Sequence, residues 1–289
     1  MFYLLSLLMG IMITIMVAVN GGLTGFYGLY TATVIIHVVG LIIISVAVFV
    51  KREKFFPGKY SWFLYLGGAI GVFTTLANNI SFGRISVSAI MALGLLGQTV
   101  TGLFIDQYGL FGMKQHRFTK DKLIGLALIL AGIGAMLNSF EMLAVSVSFL
   151  AGVAIVMSRT FNAKLADLTS MRVSTFYNYF IGLIVSVMVF LILGRGEIVF
   201  VEFAFSPSWY IYLGGALGVC VVFLSNIVVV KVSAFYLTLL IFIGQVFSGV
   251  VVDAFISQAI SMRNVIGGVL VALGLFINLV LDYRRRSSK

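Results

Sequence analysis

The residues of this sequence that are best able to bind a solute are polar side chains that interrupt long apolar runs. We expect five of them to bind a small solute as substrate: Asn20, Gln98, Arg159, Asn162 and Gln245. Amides both donate and accept hydrogen bonds, so they suit a neutral or zwitterionic solute, although they equally join packed helices. An arginine fork suits a carboxylate or a phosphate, but an arginine in the latter part of an apolar run can also extend to the membrane surface. Both readings remain open for these residues.

Five further residues are candidates for secondary contacts or gating: His37, Asp106, Tyr177, Asn178 and Asp253. The two aspartates stand at the ends of apolar runs, where a carboxylate is better placed to cap or gate a helix than to couple an ion. A lone histidine in an apolar run is more often a packed helix contact than a proton relay. Each of these residues therefore has a structural role as its alternative.

The sequence lacks the residue clusters that catalysis or metal binding requires. It contains one cysteine and two histidines, which excludes an intramolecular disulfide and leaves no set of zinc or iron ligands. It also shows no paired acids and no nucleophile with a base. We therefore expect no catalytic residue, no metal, no cofactor and no enzymatic activity.

The polar positions occur twice because the chain contains an internal duplication. Nine residues recur 147 positions later in the chain: Trp62, Gly67, Gly68, Gly71, Asn79, Gly97, Gln98, Gly102 and Asp106. Outside this segment the displacement is 142, which pairs Asn20 with Asn162 and His37 with Tyr179. The period predicts two structural units, residues 1–142 and 143–289.

The elements that carry these residues are apolar enough to lie in a membrane. Hydrophobic residues make up 61% of the 289 positions, charged residues 10%, and the mean hydropathy is +1.16. Ten apolar runs approach the roughly 20 residues that a helix needs to cross the hydrocarbon: 4–23, 29–50, 60–82, 87–105, 121–138, 145–164, 173–194, 209–230, 234–256 and 262–282. The runs do not alternate as barrel strands do, and the first has neither a basic start nor a cleavage site. We predict an all-α integral membrane protein with ten transmembrane helices.

Five spans in each unit have a geometric consequence. An odd number of crossings turns the second unit over relative to the first, so a pseudo-two-fold axis should lie in the membrane plane. If the two inverted units exchange conformations, a central site opens first to one side and then to the other. The fold class is therefore two inverted five-helix repeats, an arrangement typical of secondary transporters.

The basic residues indicate how the chain is oriented. Most of the 19 lysines and arginines lie on the side that holds both termini, including Lys51, Lys114, Lys120 and Arg284. Lysine and arginine accumulate in cytoplasmic loops, so we expect a multi-pass protein of the inner cell membrane with both termini cytoplasmic. Its expected partners are the lipid bilayer and a small-molecule substrate. Nucleic acid is not expected, because no soluble module supports it, and the protein should be a monomer or a homodimer.

Three motifs of the first half carry a resemblance to a known family. They are Trp62 followed by Gly67-Gly68-Ala69-Ile70-Gly71, then Gly97-Gln98, then Ile105-Asp106-Gln107-Tyr108-Gly109-Leu110-Phe111-Gly112. The second half keeps Gly214-Gly215-Ala216-Leu217-Gly218 and Gly244-Gln245, with Asp253-Ala254-Phe255 for the third. The chain resembles two YdcZ-type units of the drug/metabolite transporter superfamily fused in tandem.

The resemblance implies a ten-helix drug/metabolite transporter fold. Its central cavity would be formed chiefly by the first four helices of each half. Relatives often carry a glutamine shortly before the asparagine of the first span. Here the residue three positions before Asn20 is Val17, and the residue three positions before Asn162 is Arg159. The two halves are therefore chemically unequal, and the motifs are nearly silent on the substrate.

These observations favour a secondary transporter of a small polar metabolite or drug-like solute that works by alternating access. The alternative is a passive channel or facilitator for a small solute. A membrane enzyme is disfavoured by the missing catalytic cluster, and a purely structural or receptor role predicts no solvated cavity. The direction of transport and the coupling ion stay open at this point.

Overall fold

The computed structural model describes residues 1–56, 58–109, 122–137, 141–197, 205–228, 231 and 234–287. The described residues form ten α-helices: α1 Phe2–Tyr27, α2 Leu29–Val50, α3 Leu66–Ser81, α4 Val87–Tyr108, α5 Lys122–Met136, α6 Met142–Leu168, α7 Met171–Leu193, α8 Gly214–Val228, α9 Ala234–Ser257 and α10 Met262–Ser287. Short 3₁₀ helices, Trp62–Tyr65 and Trp209–Leu213, lead into α3 and α8. The predicted all-α membrane fold is confirmed.

Nine of the helical segments in the described part of the chain are long and apolar enough to cross a bilayer. The fifth helix differs, since its described residues number 15. At 1.5 Å per residue it covers about 22 Å, less than the roughly 30 Å of hydrocarbon. The sequence predicts this span over 121–138, and its two end residues lie outside the described residues.

The packing of the helices has two-fold symmetry. When each helix is exchanged for its counterpart five places along, the contacts are preserved: α1 packs on α9 as α6 packs on α4, and α1 packs on α8 as α6 packs on α3. Three counterpart pairs, α2 with α7, α4 with α9 and α5 with α10, pack directly on each other. The residue contacts at their ends show that these pairs are antiparallel. The two repeats are therefore inverted relative to each other.

Acidic side chains tie the ends of the antiparallel pairs together. Asp253, near the end of α9, accepts hydrogen bonds from the backbone nitrogens of Val87 and Ser88 at 2.6 and 3.0 Å, where α4 begins. Glu197, after α7, accepts from the nitrogens of Tyr30 and Thr31 at the start of α2, the latter at 2.8 Å. The first turn of a helix has unsatisfied N–H groups and a partial positive charge, so carboxylates bind there.

A matching contact lies at the other end of the α2/α7 pair. Glu53, just after α2, accepts 2.5 Å and 2.7 Å hydrogen bonds from Ser170 Oγ and Arg172 Nε at the start of α7. We call the side where α1 begins the N-terminal face, and the side where α1 ends the opposite face. Glu53 lies at the N-terminal face, and Glu197 and Asp253 lie at the opposite face.

Glycines let the helices of the two repeats approach closely. A Cβ on Gly132 would lie 2.6 Å from the carbonyl oxygen of Gly267, and a Cβ on Gly267 would lie 2.6 Å from that of Gly132. This contact joins α5 to its counterpart helix α10. Close backbone packing through small residues is the usual interface of membrane helices.

Candidate central binding site

A cavity of about 160 Å³ lies between the two repeats. Helices α1, α2 and α3 of the first repeat and α6, α7, α8 and α9 of the second contribute to its wall. One water needs roughly 10–15 Å³ on this measure, so the space exceeds that of a single trapped water. It is large enough for a small solute.

Five predicted site residues line this cavity, one from the first repeat and four from the second: Asn20, Arg159, Asn162, Asn178 and Gln245. His37 also belongs to the wall. They come from helices that are far apart in the sequence, so only the inverted packing brings them together. Gln98 stands behind this wall and reaches it through Arg159.

The asparagines of the duplicated pair are held by the duplicated glycines. Asn162 Oδ1 packs on Gly67, its Nδ2 lies 3.4 Å from Ser158 Oγ, and that hydroxyl donates a 2.8 Å hydrogen bond to the Gly67 carbonyl. Asn20 Oδ1 packs on Gly214 in the same way and finds no hydrogen-bond partner among the described residues. Any Cβ at either glycine would collide with the amide. The glycines therefore fix where the amides lie.

Arg159 is held in the cavity wall by Gln98. Its Nη1 donates a 3.1 Å hydrogen bond to Gln98 Oε1, across the contact between α6 and α4. Arg159 stands nine residues before the end of α6, about 14 Å along the axis. Helical side chains lean towards the N-terminus of their helix, which directs this one into the bundle. The structure therefore places the guanidinium group at the cavity rather than at the membrane surface.

Gln245 is the counterpart of Gln98 but has a different environment. In the first repeat, Val17 occupies the position that Arg159 occupies in the second. Gln245 therefore lacks the guanidinium partner that Gln98 has. The side chain is 3% exposed and has no hydrogen-bond partner in the described part of the chain. Its backbone carbonyl accepts a 2.9 Å hydrogen bond from Thr14 Oγ1, which joins α9 to α1. The amide is thus available to the cavity.

His37 and Tyr179 occupy counterpart positions and face each other. Their ring centroids are 5.9 Å apart. Nδ1 of His37 lies 2.8 Å from the Thr33 carbonyl oxygen, and the ring packs on Gly182 while Tyr179 packs on Gly40. Both rings line the cavity. His37 therefore combines a packing role with a place in the wall.

Two predicted gating residues lie away from the cavity. Tyr177 belongs to an aromatic cluster with Tyr65 and Phe176, and its ring is 4.9 Å from that of Tyr65. Asp253 caps α4, as described above, which agrees with the structural alternative for this residue. Asp106 lies in the last turn of α4, and its side chain lies outside the described residues.

Further polar residues line the cavity beside those predicted from the sequence. Thr74, Thr75 and Asn78 of α3 and Ser225 of α8 line the cavity. Asn78 and Ser225 are 147 positions apart, so the duplication marks them as counterparts. Their difference in residue type hides the signal, because identical residues mark a duplication most clearly.

Tyrosine pairs lie at both ends of the bundle. At the opposite face the hydroxyls of Tyr27 and Tyr212 are in hydrogen-bond contact, and the Ser206 nitrogen donates to Tyr212 Oη at 2.9 Å. At the N-terminal face Tyr65, the counterpart of Tyr212, packs on Tyr177. Each repeat thus supplies a tyrosine from its 3₁₀ helix to one of these pairs.

Solved structures share this architecture. One of them is described as "Crystal structure of protein", is 15% identical, covers 96% of this chain and 98% of its own, and superposes with a TM-score of 0.62. At that identity the likeness concerns the fold alone. A comparison with curated proteins gave no match.

A family model assigns both halves of the chain. The model, DMT_YdcZ, is described as "Putative inner membrane exporter, YdcZ" and matches residues 1–135 and again 143–277. Its two matches cover most of the sequence and follow the duplication. The chain therefore belongs to the YdcZ family of drug/metabolite transporters, in a tandem two-repeat form.

Proposed function

We propose that this membrane transporter is a secondary carrier of a small polar metabolite, which binds in the central cavity and crosses by alternating access. The observation that carries the proposal is the composition of the cavity wall. Amide, hydroxyl and guanidinium groups from both inverted repeats converge there, deep in an otherwise apolar bundle. Polar groups are costly at membrane depth, and those that face a cavity commonly bind the transported solute.

We propose that the two tyrosine pairs are the closures that open in turn during alternating access. One lies at the N-terminal face and the other at the opposite face. Because Tyr65 and Tyr212 are counterparts, a conformation in which one pair separates has an inverted equivalent in which the other pair separates. The family description adds the inner membrane and export, and we propose both for this chain with its termini in the cytoplasm. We also propose that residues 1–142 and 143–289 act as the two exchanging units.

Counterflow in proteoliposomes tests the carrier function. Vesicles containing the purified full chain are loaded with one unlabelled solute at high concentration, and a trace of the same labelled solute is added outside. The panel comprises amino acids, sugars, carboxylates and amines. A carrier accumulates the label transiently against its own gradient, while a channel only equilibrates it.

The matched control is Ile192→Ala, since Ile192 is 74% exposed on the outer surface of α7. We expect this variant to match the unaltered protein, and expect Asn20→Ala with Asn162→Ala to reduce counterflow at least about tenfold, the effect of losing two polar contacts. Equilibration without transient accumulation would replace the carrier with a channel. Absence of flux for the whole panel would remove the transport proposal.

A further inference from the structure

We infer that the solute is a small organic monoanion, whose carboxylate pairs with Arg159 in the central cavity. This inference rests on the proposed function and names the chemical class that the same site accepts. It starts from the charges that the described cavity residues carry. Arg159 is a permanent cation, and the other described lining residues include no aspartate, glutamate or lysine.

The charge of Arg159 is not balanced by the protein around it. Among the described residues its hydrogen-bond partner is the neutral amide of Gln98. The ion pairs of the described residues join other groups, such as Arg172 with Glu53. A guanidinium group at membrane depth without a counter-ion is costly. An anion that enters the cavity would supply the missing charge.

The donors around the cavity suit an anion. A guanidinium group has five N–H donors, and the bond to Gln98 uses one. Asn20 buries its Oδ1 against Gly214, so its Nδ2 donor is the part of the amide left for the cavity. Ser158, beside Arg159 on α6, is committed to the Gly67 carbonyl, whereas Asn162 uses one of its two N–H donors on Ser158 Oγ and keeps the other for the cavity. Gln98 acts as a positioning residue, because its Oε1 orients the guanidinium fork.

The number of charges selects a monoanion. One arginine neutralises one carboxylate, whereas a phosphate monoester carries about −1.5 to −2 at pH 7. A dianion would therefore bring an uncompensated negative charge into a low-dielectric site. The remaining wall is partly apolar, with Ile13, Met16 and Ile155, which suits a short carbon chain attached to the carboxylate. Only the second repeat carries the arginine, so the solute binds in one orientation.

The test measures thermal stabilisation of the purified full chain in detergent. The probes are monocarboxylates from acetate to hexanoate with their 2-hydroxy and 2-oxo forms, the matching primary amides, and dicarboxylates and phosphate monoesters. We expect at least one monocarboxylate to raise the melting temperature and to show counterflow, and expect its isosteric amide to do neither. A ligand that binds only the folded state raises stability with its concentration, so titration gives the Kd.

Two arginine variants and a matched control link the result to Arg159. Arg159→Gln should raise the Kd for the effective monocarboxylate roughly 10- to 100-fold, the usual strength of a hydrogen bond to a charged group. Arg159→Lys keeps the charge without the fork and should fall between. Arg84→Gln removes an exposed arginine that lies 3.9 Å from Glu141 and should leave the Kd unchanged. If Arg159→Gln fails to fold, the comparison of the carboxylate with its amide and the Kd of Arg159→Lys still test whether Arg159 pairs with a carboxylate.

The outcomes separate this inference from the carrier function. Counterflow of amines, sugars or amides with no response to monocarboxylates would overturn the anion inference and leave the carrier intact. Equal binding of a carboxylate by Arg159→Gln and the unaltered protein would also overturn it. Stronger binding of dianions than of monoanions would refute the charge count. Absence of both binding and flux across every panel would remove the inference together with the carrier.

Discussion

The guanidinium group of Arg159 donates a hydrogen bond to Gln98 Oε1 across 3.1 Å, which joins α6 of the second repeat to α4 of the first. The counterpart positions, Val17 and Gln245, cannot form this bond because valine has no donor. A symmetric fold therefore holds a chemically asymmetric site. The same symmetry provides matched controls, since one substitution can be made at two counterpart positions.

Gln98→Glu should place a carboxylate beside Arg159 and form an internal ion pair with its guanidinium group. We expect the melting temperature to stay within a few degrees of that of the unaltered protein or to rise, because Arg159 neutralises the new carboxylate. Binding of anions at the cavity should be lost, as measured by ligand-induced thermal shift.

Gln245→Glu is the control at the counterpart position. It introduces a buried carboxylate at a position that has no guanidinium hydrogen-bonded to it, so we expect a loss of about 3 kcal/mol or protonation of the new group. Equal effects of the two substitutions would contradict the assigned pairing of Gln98 with Arg159.

Tyr212→Phe should loosen the closure at the opposite face. It removes the contact with the Tyr27 hydroxyl and the acceptor for the Ser206 nitrogen, worth about 1 kcal/mol each. In a Cys220→Ser, Met16→Cys background, an impermeant maleimide added at that face should label Met16→Cys roughly fivefold faster or more. Tyr210→Phe, at a 52% exposed neighbour, should change nothing. Unchanged labelling in Tyr212→Phe would exclude this closure as a gate.

Asp253→Ala should weaken the junction of α9 with α4. The carboxylate accepts from Val87, Ser88 and Asn264, and its loss leaves the first turn of α4 without these acceptors. We expect a destabilisation of about 1–2 kcal/mol in a thermal melt. Glu141→Ala, which removes one partner of an exposed 3.9 Å ion pair, should cost less than about 1 kcal/mol. Similar losses in both variants would argue against the capping role.

Glu53 should make stability depend on pH at the N-terminal face. Burial alone would raise the pKa of its carboxyl, but hydrogen bonds from Ser170 and Arg172 and the charges of Arg172 and Lys51 outweigh burial and lower it. A lowered pKa in the folded state stabilises the protein fully above the ordinary value of 4.5, and the contribution is lost as pH falls through the folded pKa. Glu53→Gln should thus cost up to about 1 kcal/mol at pH 7 and progressively less below pH 4.5. Melting curves of both proteins across this range provide the measurement, and a difference that grows towards acid would contradict the sign.

Gly132→Ala should disrupt the crossing of α5 and α10. The added Cβ would lie 2.6 Å from the Gly267 carbonyl oxygen and 2.9 Å from the Val271 nitrogen, and backbone cannot move aside cheaply. We expect a loss of about 1–3 kcal/mol in a thermal melt. Gly134→Ala on the same helix meets no atom within 4 Å and should shift stability by less than about 1 kcal/mol. A harmless Gly132→Ala would show that the helices are further apart.

The sequence predicted the helices well because the membrane simplifies the problem. Runs of apolar residues near 20 long must be helices in hydrocarbon, and nine of the ten predicted spans correspond to membrane-length helices among the described residues. The site was harder to predict. Asn20, Arg159 and Gln245 were selected as polar residues in apolar runs, and that signal does not distinguish a cavity from a helix contact. Tyr177 carried a similar signal but lies in an aromatic cluster. Asp253, at the end of an apolar run, was expected to cap or gate a helix and lies at the start of α4.

The sequence by itself determined the two-repeat membrane fold, since the duplication and the odd number of spans leave inversion as the geometric solution. It also determined that the repeats are unequal, because Val17 stands opposite Arg159 in the alignment of the halves. Only the tertiary structure decided which polar groups share a space and which are consumed by the fold. The reason is distance: Asn20, Arg159 and Gln245 lie on three helices, and periodicity within one helix carries no information about what the other two present to it.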